Sequence, residues 1–429
     1  MKKIFLIVSI LTNVVFLYAQ FTVKVEIPQG YQAKDAYLYT VNGSKDILSS
    51  KAMAQGQFFT FKHSKNYMGL MKVYFPKTNH SLNLISENKD VSLAFRTKNK
   101  KIGQVVFHDE ANQLMNKVQD RQKKLELIYP ALLQIGEYYQ PESDFGIALN
   151  KEIAALETQV PIEASKNPFV SFYHENYTKF LVTQAGKPRV SKDDIIGFLN
   201  KANELLESSL LMKPVLINYL KMTSANTINE DTDKLINTIG TDSPRGQTVL
   251  SELIDIFGMY GMEAQKEKYL AVAKNLKCTI NDRLLNTINI NESIAIGAKM
   301  SDTKFANPVN TKAKSIHEVK ADKKIILFWS STCTHCEKEL PEIIAKYNQL
   351  KANHIEVIAL SLDSDKDVYQ DKIKNLPWIN DSELKGWNSS YSELYNISAT
   401  PTFFIVDHQN KIIAKPNSFA DAIKFLNLK

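Results

Sequence analysis

The sequence predicts a multi-domain chain: an N-terminal antiparallel β domain at residues 20–105, a central α-helical region at 106–288 and a C-terminal α/β domain at 289–429. Three observations predict it. Apolar residues alternate with a period of two from Phe21 to about residue 100, then recur with a period near 3.6 from about 108 to 285. From about 292 the pattern changes to short apolar runs alternating with helical stretches. The length, 429 residues, suits about three domains. Hydrophobic residues at 44% and charged residues at 23% exclude a disordered or fibrous chain. The 53 basic and 46 acidic residues leave a net charge of +7, but the lysines are scattered singly and in pairs, which argues against a nucleic-acid partner.

Residues 1–19 carry the marks of a secretory signal peptide: Lys2 and Lys3, an apolar run over 4–18, and the small residue Ala19. The run is short for a bilayer span and is interrupted by Ser9, Thr12 and Asn13, so an exported, periplasmic protein is expected. In the β domain, strands are expected around Phe21, Val23, Val25 and Ile27; around Ala36, Leu38 and Thr40; around Phe58, Phe59 and Phe61; and over 71–75, 82–85 and 91–95. Turn signals fall at Gly30, Gly43 and Gly56. Helices are expected over 111–129, 147–156, 169–181, 195–206, 249–260 and 263–275, with Ser191 and Asp194 spaced as an N-terminal cap. No fixed repeat is evident. Cys278 reads as a small buried hydrophobe at the end of this block.

In the last third, strands are expected over 324–329 and 355–362, a hairpin over 402–406 and 411–414, and helices over 337–350, 367–373 and 419–426. Chemistry concentrates where the first strand runs through Ser330-Ser331-Thr332-Cys333-Thr334-His335-Cys336 directly into a helix. Unpaired backbone N–H groups and the macrodipole at a helix start favour negative charge, so the Cys333 thiolate is expected to be stabilised and to attack. Cys336, one turn on, is placed to resolve a mixed disulfide. His335 adds a positive charge that would tune the pair. A zinc site would need a second cysteine pair, and a haem site a histidine where Glu337 stands; metal is therefore not expected, and no diffusible cofactor is required. Bound Cu(I) or another metal–thiolate stays open, as a binding or delivery module in which the N-terminal domains form the main binding region.

The run from Phe328 to Pro341, followed by Ala399-Thr400-Pro401-Thr402-Phe403-Phe404-Ile405-Val406-Asp407, resembles the thioredoxin-like fold. It is specifically similar to exported TlpA/ResA-like thiol-disulfide oxidoreductases. The resemblance implies a thiol-disulfide oxidoreductase acting on cysteine-containing proteins as a periplasmic reductase or isomerase; electrons for a reductive role would have to come from a membrane thiol relay, since an oxidising compartment offers no reduced pool. It implies a cis peptide before Pro401, with Thr400 and Pro401 holding the substrate, a helix kink at Pro341, and Glu339 as the buried carboxylate that manages the proton of Cys336. Leu327 stands where thioredoxins proper carry a buried aspartate, and Thr332 where they carry a tryptophan before the first cysteine. Trp378 and Trp387 are expected to pack in the core. The region before residue 290 resembles the DUF4369-like N-terminal domains attached to such modules.

Overall fold

The computed structural model describes residues 21–99, 101–158, 160–182 and 190–428; the signal-peptide reading of 1–19 lies outside them. The chain forms two compact units, one of residues up to Val41 and Asp46–Glu175, the other of Asn42–Lys45 and Asn176–Lys429. The division falls inside the helical stretch rather than at either of its ends.

The first unit is built on eight strands: β1 (Phe21–Glu26), β2 (Asp35–Asn42), β3 (Lys45–Met53), β4 (Phe58–His63), β5 (Met68–Phe75), β6 (His80–Glu87), β7 (Val91–Lys98) and β8 (Lys101–Phe107). They form two four-stranded sheets, ordered β4-β1-β7-β8 and β3-β2-β5-β6. Their inward residues, among them Val23, Phe59 and Leu93 from one sheet and Leu38, Val73 and Leu84 from the other, share a single core. The alternation read from the sequence is this core face. The pairing departs from the antiparallel expectation where β1 and β7 run parallel, with Val23 opposite Val91. Strands β3 and β8 were not legible in the pattern, because both are sheet edges whose side chains mostly face solvent and need not alternate.

Helices α1 (Glu110–Leu127), α2 (Tyr129–Gly136) and α3 (Asp144–Glu157) follow, and the division between units falls within α4 (Pro168–Leu181). The second unit continues with α5 (Lys192–Lys201), α6 (Met212–Lys221), α7 (Ile228–Ile239), α8 (Pro244–Met259), α9 (Glu263–Lys274) and α10 (Asp282–Ser293). The capping arrangement at α5 is present in full: the Ser191 hydroxyl accepts from Asp194 N–H, and the Asp194 carboxylate accepts from Ser191 N–H. Helix α8 is the hub of this region, burying Val249, Leu250, Leu253, Ile254 and Phe257.

The C-terminal part holds a five-stranded sheet ordered β11-β10-β9-β12-β13, from β9 (Lys323–Trp329), β10 (Ile355–Ser361), β11 (Ile379–Ser382), β12 (Thr402–Asp407) and β13 (Ile412–Ala414). Strands β9, β10 and β11 are parallel; β12 runs antiparallel to β9, and β13 to β12. Helices α11 (Thr334–Ala352), α12 (Lys366–Ile373), α13 (Ser390–Leu394) and α14 (Phe419–Phe425) complete it. Alternate residues of β9 serve two cores: Ile325, Leu327 and Trp329 pack with α11 residues, whereas Ile326 and Phe328 pack with Met300, Ile316 and Tyr395. A strand buried on both faces reads as a continuous apolar run, which is why it was recognisable.

Strand β11 was not recognisable, for the opposite reason. Three of its four residues are Asn380, Asp381 and Ser382, all buried. The Asp381 carboxylate accepts from Ala306 N–H, Asn307 N–H and the Tyr391 hydroxyl, and burial pushes its pKa up. Two of these partners come from more than seventy positions away, so they satisfy the Asp381 carboxylate in a way that no local pattern announces. Among the described residues, no helix is long and apolar enough to cross a membrane.

Candidate active site

Strand β9 ends at Trp329, the chain turns through Ser330–Thr332, and Cys333 becomes the N-cap of α11, with extended backbone and a side chain that accepts from Cys336 N–H at 3.1 Å. An orphan N–H at a helix start thus points at the sulfur expected to attack. Cys333 and Cys336 are joined in a disulfide, with Cα atoms 5.2 Å apart. Cys333 is half-buried and Cys336 is 1% exposed, so only one sulfur faces an incoming partner.

On the other side of the turn, Thr402 pairs with Phe328, which brings the start of β12 to the same edge of the sheet as the end of β9. The Thr400–Pro401 peptide is cis, and the Thr400 carbonyl oxygen lies 3.2 Å from Cys333 Sγ. In the reduced chain the Cys333 thiol is able to donate to this oxygen. The two contacts act in opposite senses: the Cys336 N–H favours the thiolate, and the carbonyl oxygen favours the thiol. Thr400 and Pro401 are both half-buried, leaving part of this shelf open.

The structure adds a residue that sequence reasoning missed. Asp363, just beyond β10 and 5% exposed, accepts from the Ser330 hydroxyl (2.9 Å), from Ser331 N–H (3.1 Å to each carboxylate oxygen), from the Ser331 hydroxyl (2.6 Å) and from the Ser361 hydroxyl (2.5 Å). One buried carboxylate therefore ties down the turn that delivers Cys333. Its sequence signal is slight, an aspartate just after a mostly apolar strand, since its partners in the turn lie more than 30 positions away.

The remaining expected residues are placed as follows. His335 is exposed in the first turn of α11. Glu339 is half-buried, and its carboxylate accepts from Phe419 N–H at 2.9 Å, at the start of α14. Pro341 lies inside α11 and Leu327 in the core. Trp378 is fully buried, edge-on to Tyr347. Trp387 is not in the core: it is 54% exposed on a single turn of 3₁₀ helix, Gly386–Asn388, because the polar strand β11 ends at Ser382 and releases the chain to the surface. Cys278 is half-buried and unpaired, and Gln247 Nε2 approaches its sulfur at 3.4 Å.

The family model described as thioredoxin-like matches residues 322–412, the segment holding the Cys333–Cys336 turn and the Thr400–Pro401 shelf. Those residues form a thioredoxin-like domain. ResA of Bacillus subtilis (strain 168), named a thiol-disulfide oxidoreductase, is 22% identical over 143 residues, which are 32% of this chain and 76% of that protein. ResA of Bacillus cereus, with the same name, is 27% identical over 109 residues, 24% of this chain and 60% of that protein. The thioredoxin domain of a thiol-disulfide oxidoreductase from Bacteroides vulgatus aligns with a TM-score of 0.29 at 23% identity, covering 32% of this chain and 97% of that one.

Proposed function

We propose that this protein is an exported thiol-disulfide oxidoreductase that exchanges disulfides with cysteine-containing proteins in a periplasm, as a reductase or isomerase. The observation that carries this reading is the placing of Cys333 Sγ at the N-cap of α11, within 3.1 Å of Cys336 N–H and 3.2 Å of the Thr400 carbonyl. A sulfur held there is exposed to a partner on one side and backed by its resolving thiol on the other.

In the reductive direction the Cys333 thiolate attacks one sulfur of a substrate disulfide. A mixed disulfide forms, and the other substrate sulfur leaves as a thiolate. Cys336, losing its proton, then attacks Cys333 Sγ, releases the second substrate thiol and closes the Cys333–Cys336 disulfide. Two electrons have passed to the substrate, and a dithiol donor, assigned in this reading to a membrane thiol relay, restores the pair. Glu339 is the proposed acceptor of the Cys336 proton, and its position one turn along the same helix supports the role. The edge backbone at Thr400 and Pro401 is the proposed shelf for an extended substrate segment. His335, exposed beside the turn, is the proposed tuning charge.

Insulin disulfide reduction by wild type and by Cys333→Ala tests the reading. Turnover is expected in the first and none in the second; equal rates would remove Cys333 from the chemistry.

A further inference from the structure

We propose that Trp387 forms the far wall of the substrate-docking edge, taking an apolar side chain that lies about three residues from the reactive cysteine of an extended protein substrate. This rests on the oxidoreductase reading and adds a specificity-determining residue to it.

The sheet topology brings the pieces to one edge. Strands β9, β10 and β11 are parallel, so the segments that follow them, Ser330–Cys333, Asp363–Ser364 and Glu383–Trp387, all emerge at the same end of the sheet. Strand β12 is antiparallel to β9, so the segment that precedes it, Thr400–Pro401, is there as well. With the order β11-β10-β9-β12, the segment carrying Trp387 leaves the sheet two strands from the cysteine turn and folds back onto the end of β10 beside that turn, and the Thr400–Pro401 shelf lies one strand away on the other side. At about 4.8 Å per strand, the ends of β9 and β11 are roughly 10 Å apart, the reach of about three extended residues.

Trp387 is also firmly mounted. Gly386 N–H donates to the Asp363 carbonyl at 3.1 Å, and the Ser392 hydroxyl donates to the Trp387 carbonyl at 2.7 Å. Gly386 holds φ at +57°, a left-handed conformation that glycine adopts freely. The Asp363 whose backbone anchors this loop is the residue whose carboxylate fixes Ser330 and Ser331, so one residue sets both the reactive turn and the aromatic wall. Of the three tryptophans, Trp329 and Trp378 are fully buried and Trp387 alone presents its ring to solvent. Thr332, exposed directly before Cys333, offers no aromatic surface at the reactive sulfur. Trp387 supplies that surface from across the edge. Large aromatics at such positions dominate recognition because they bury much area at low entropic cost.

The test uses the full chain, pre-reduced, in single turnovers with oxidised insulin and with bis(2-hydroxyethyl) disulfide, which is too small to span from Cys333 to Trp387. Trp387→Ala is expected to lower the insulin rate constant about tenfold and to keep the small-disulfide rate within about twofold, with Trp387→Phe recovering most of the loss. An unchanged insulin rate, or an equal fall with both disulfides, overturns the proposal while leaving the oxidoreductase reading in place. Wild type that exchanges with neither disulfide overturns both.

Discussion

Replacing Asp363 with alanine removes the carboxylate that holds Ser330, Ser331 and Ser361 together. Two of these serines are buried, Ser331 at 7% and Ser361 at 1% exposure, so the Ser331 N–H and both of their hydroxyls lose their partner away from bulk water. Hydrogen bonds to a charged acceptor contribute about 1.5–3 kcal/mol each. Against their loss stands the relief of no longer desolvating the carboxylate, and the hydroxyls have some freedom to turn toward other acceptors. A net destabilisation of about 3–4 kcal/mol follows, since three buried donors are left without a partner at about 1–3 kcal/mol each. All three tryptophans lie within residues 329–387, so tryptophan fluorescence during urea unfolding reports on the thioredoxin-like domain alone. With a slope of about 2 kcal/mol/M, the midpoint is expected to fall by about 1.5–2 M. Asp363→Asn, which keeps one acceptor but turns an NH₂ group toward the serine donors, is expected to fall between the two. A midpoint for Asp363→Ala within about 0.3 M of wild type would refute the assignment of this carboxylate as the clamp on the turn.

The remaining predictions concern single groups. Cys336→Ala keeps the attacking thiol and removes the resolving one, so it is expected to accumulate a mixed disulfide with insulin chains, visible on non-reducing gels and absent in Cys333→Ala. Glu339→Gln retains an oxygen to accept from Phe419 N–H, so the unfolding free energy is expected to change by less than about 1 kcal/mol. Turnover is expected to fall about tenfold with an altered pH–rate profile; unchanged kinetics would remove Glu339 from proton transfer. Lys324, 1% exposed in β9, donates to the Ile316 carbonyl and the Asn410 side chain, and burial pushes its pKa down to about 8. Between pH 8 and its ordinary value near 10.5 the unfolded chain binds the proton that the folded chain has released, so stability rises with pH across that window. Relative to Lys324→Met, wild type is therefore expected to gain about 2–3 kcal/mol between about pH 7.5 and 10 in urea unfolding; a pH-independent difference would contradict the burial of a charged amine.

The sequence by itself determined what depends on neighbours along the chain. Period-two apolar alternation located the sandwich strands that bury one face, as in Phe21, Val23 and Val25. The continuous run of β9 marked a strand buried on both faces, and the three-residue cysteine spacing at its end marked a helix start with a sulfur on it. These are short-range periodicities and caps, and a linear string carries them in full. Tertiary structure alone decided the rest. Edge strands β3 and β8 exist because partners pair with them, and in β11 the buried Asp381 carboxylate is satisfied by Ala306, Asn307 and Tyr391 from outside the strand. Asp363 became the clamp of the reactive turn, and Trp387 an exposed ring at the same edge, through strand order and through bonds spanning from five to more than thirty positions. Such bonds stabilise only once the strands are side by side, because each needs a donor and an acceptor that sequence proximity does not bring together.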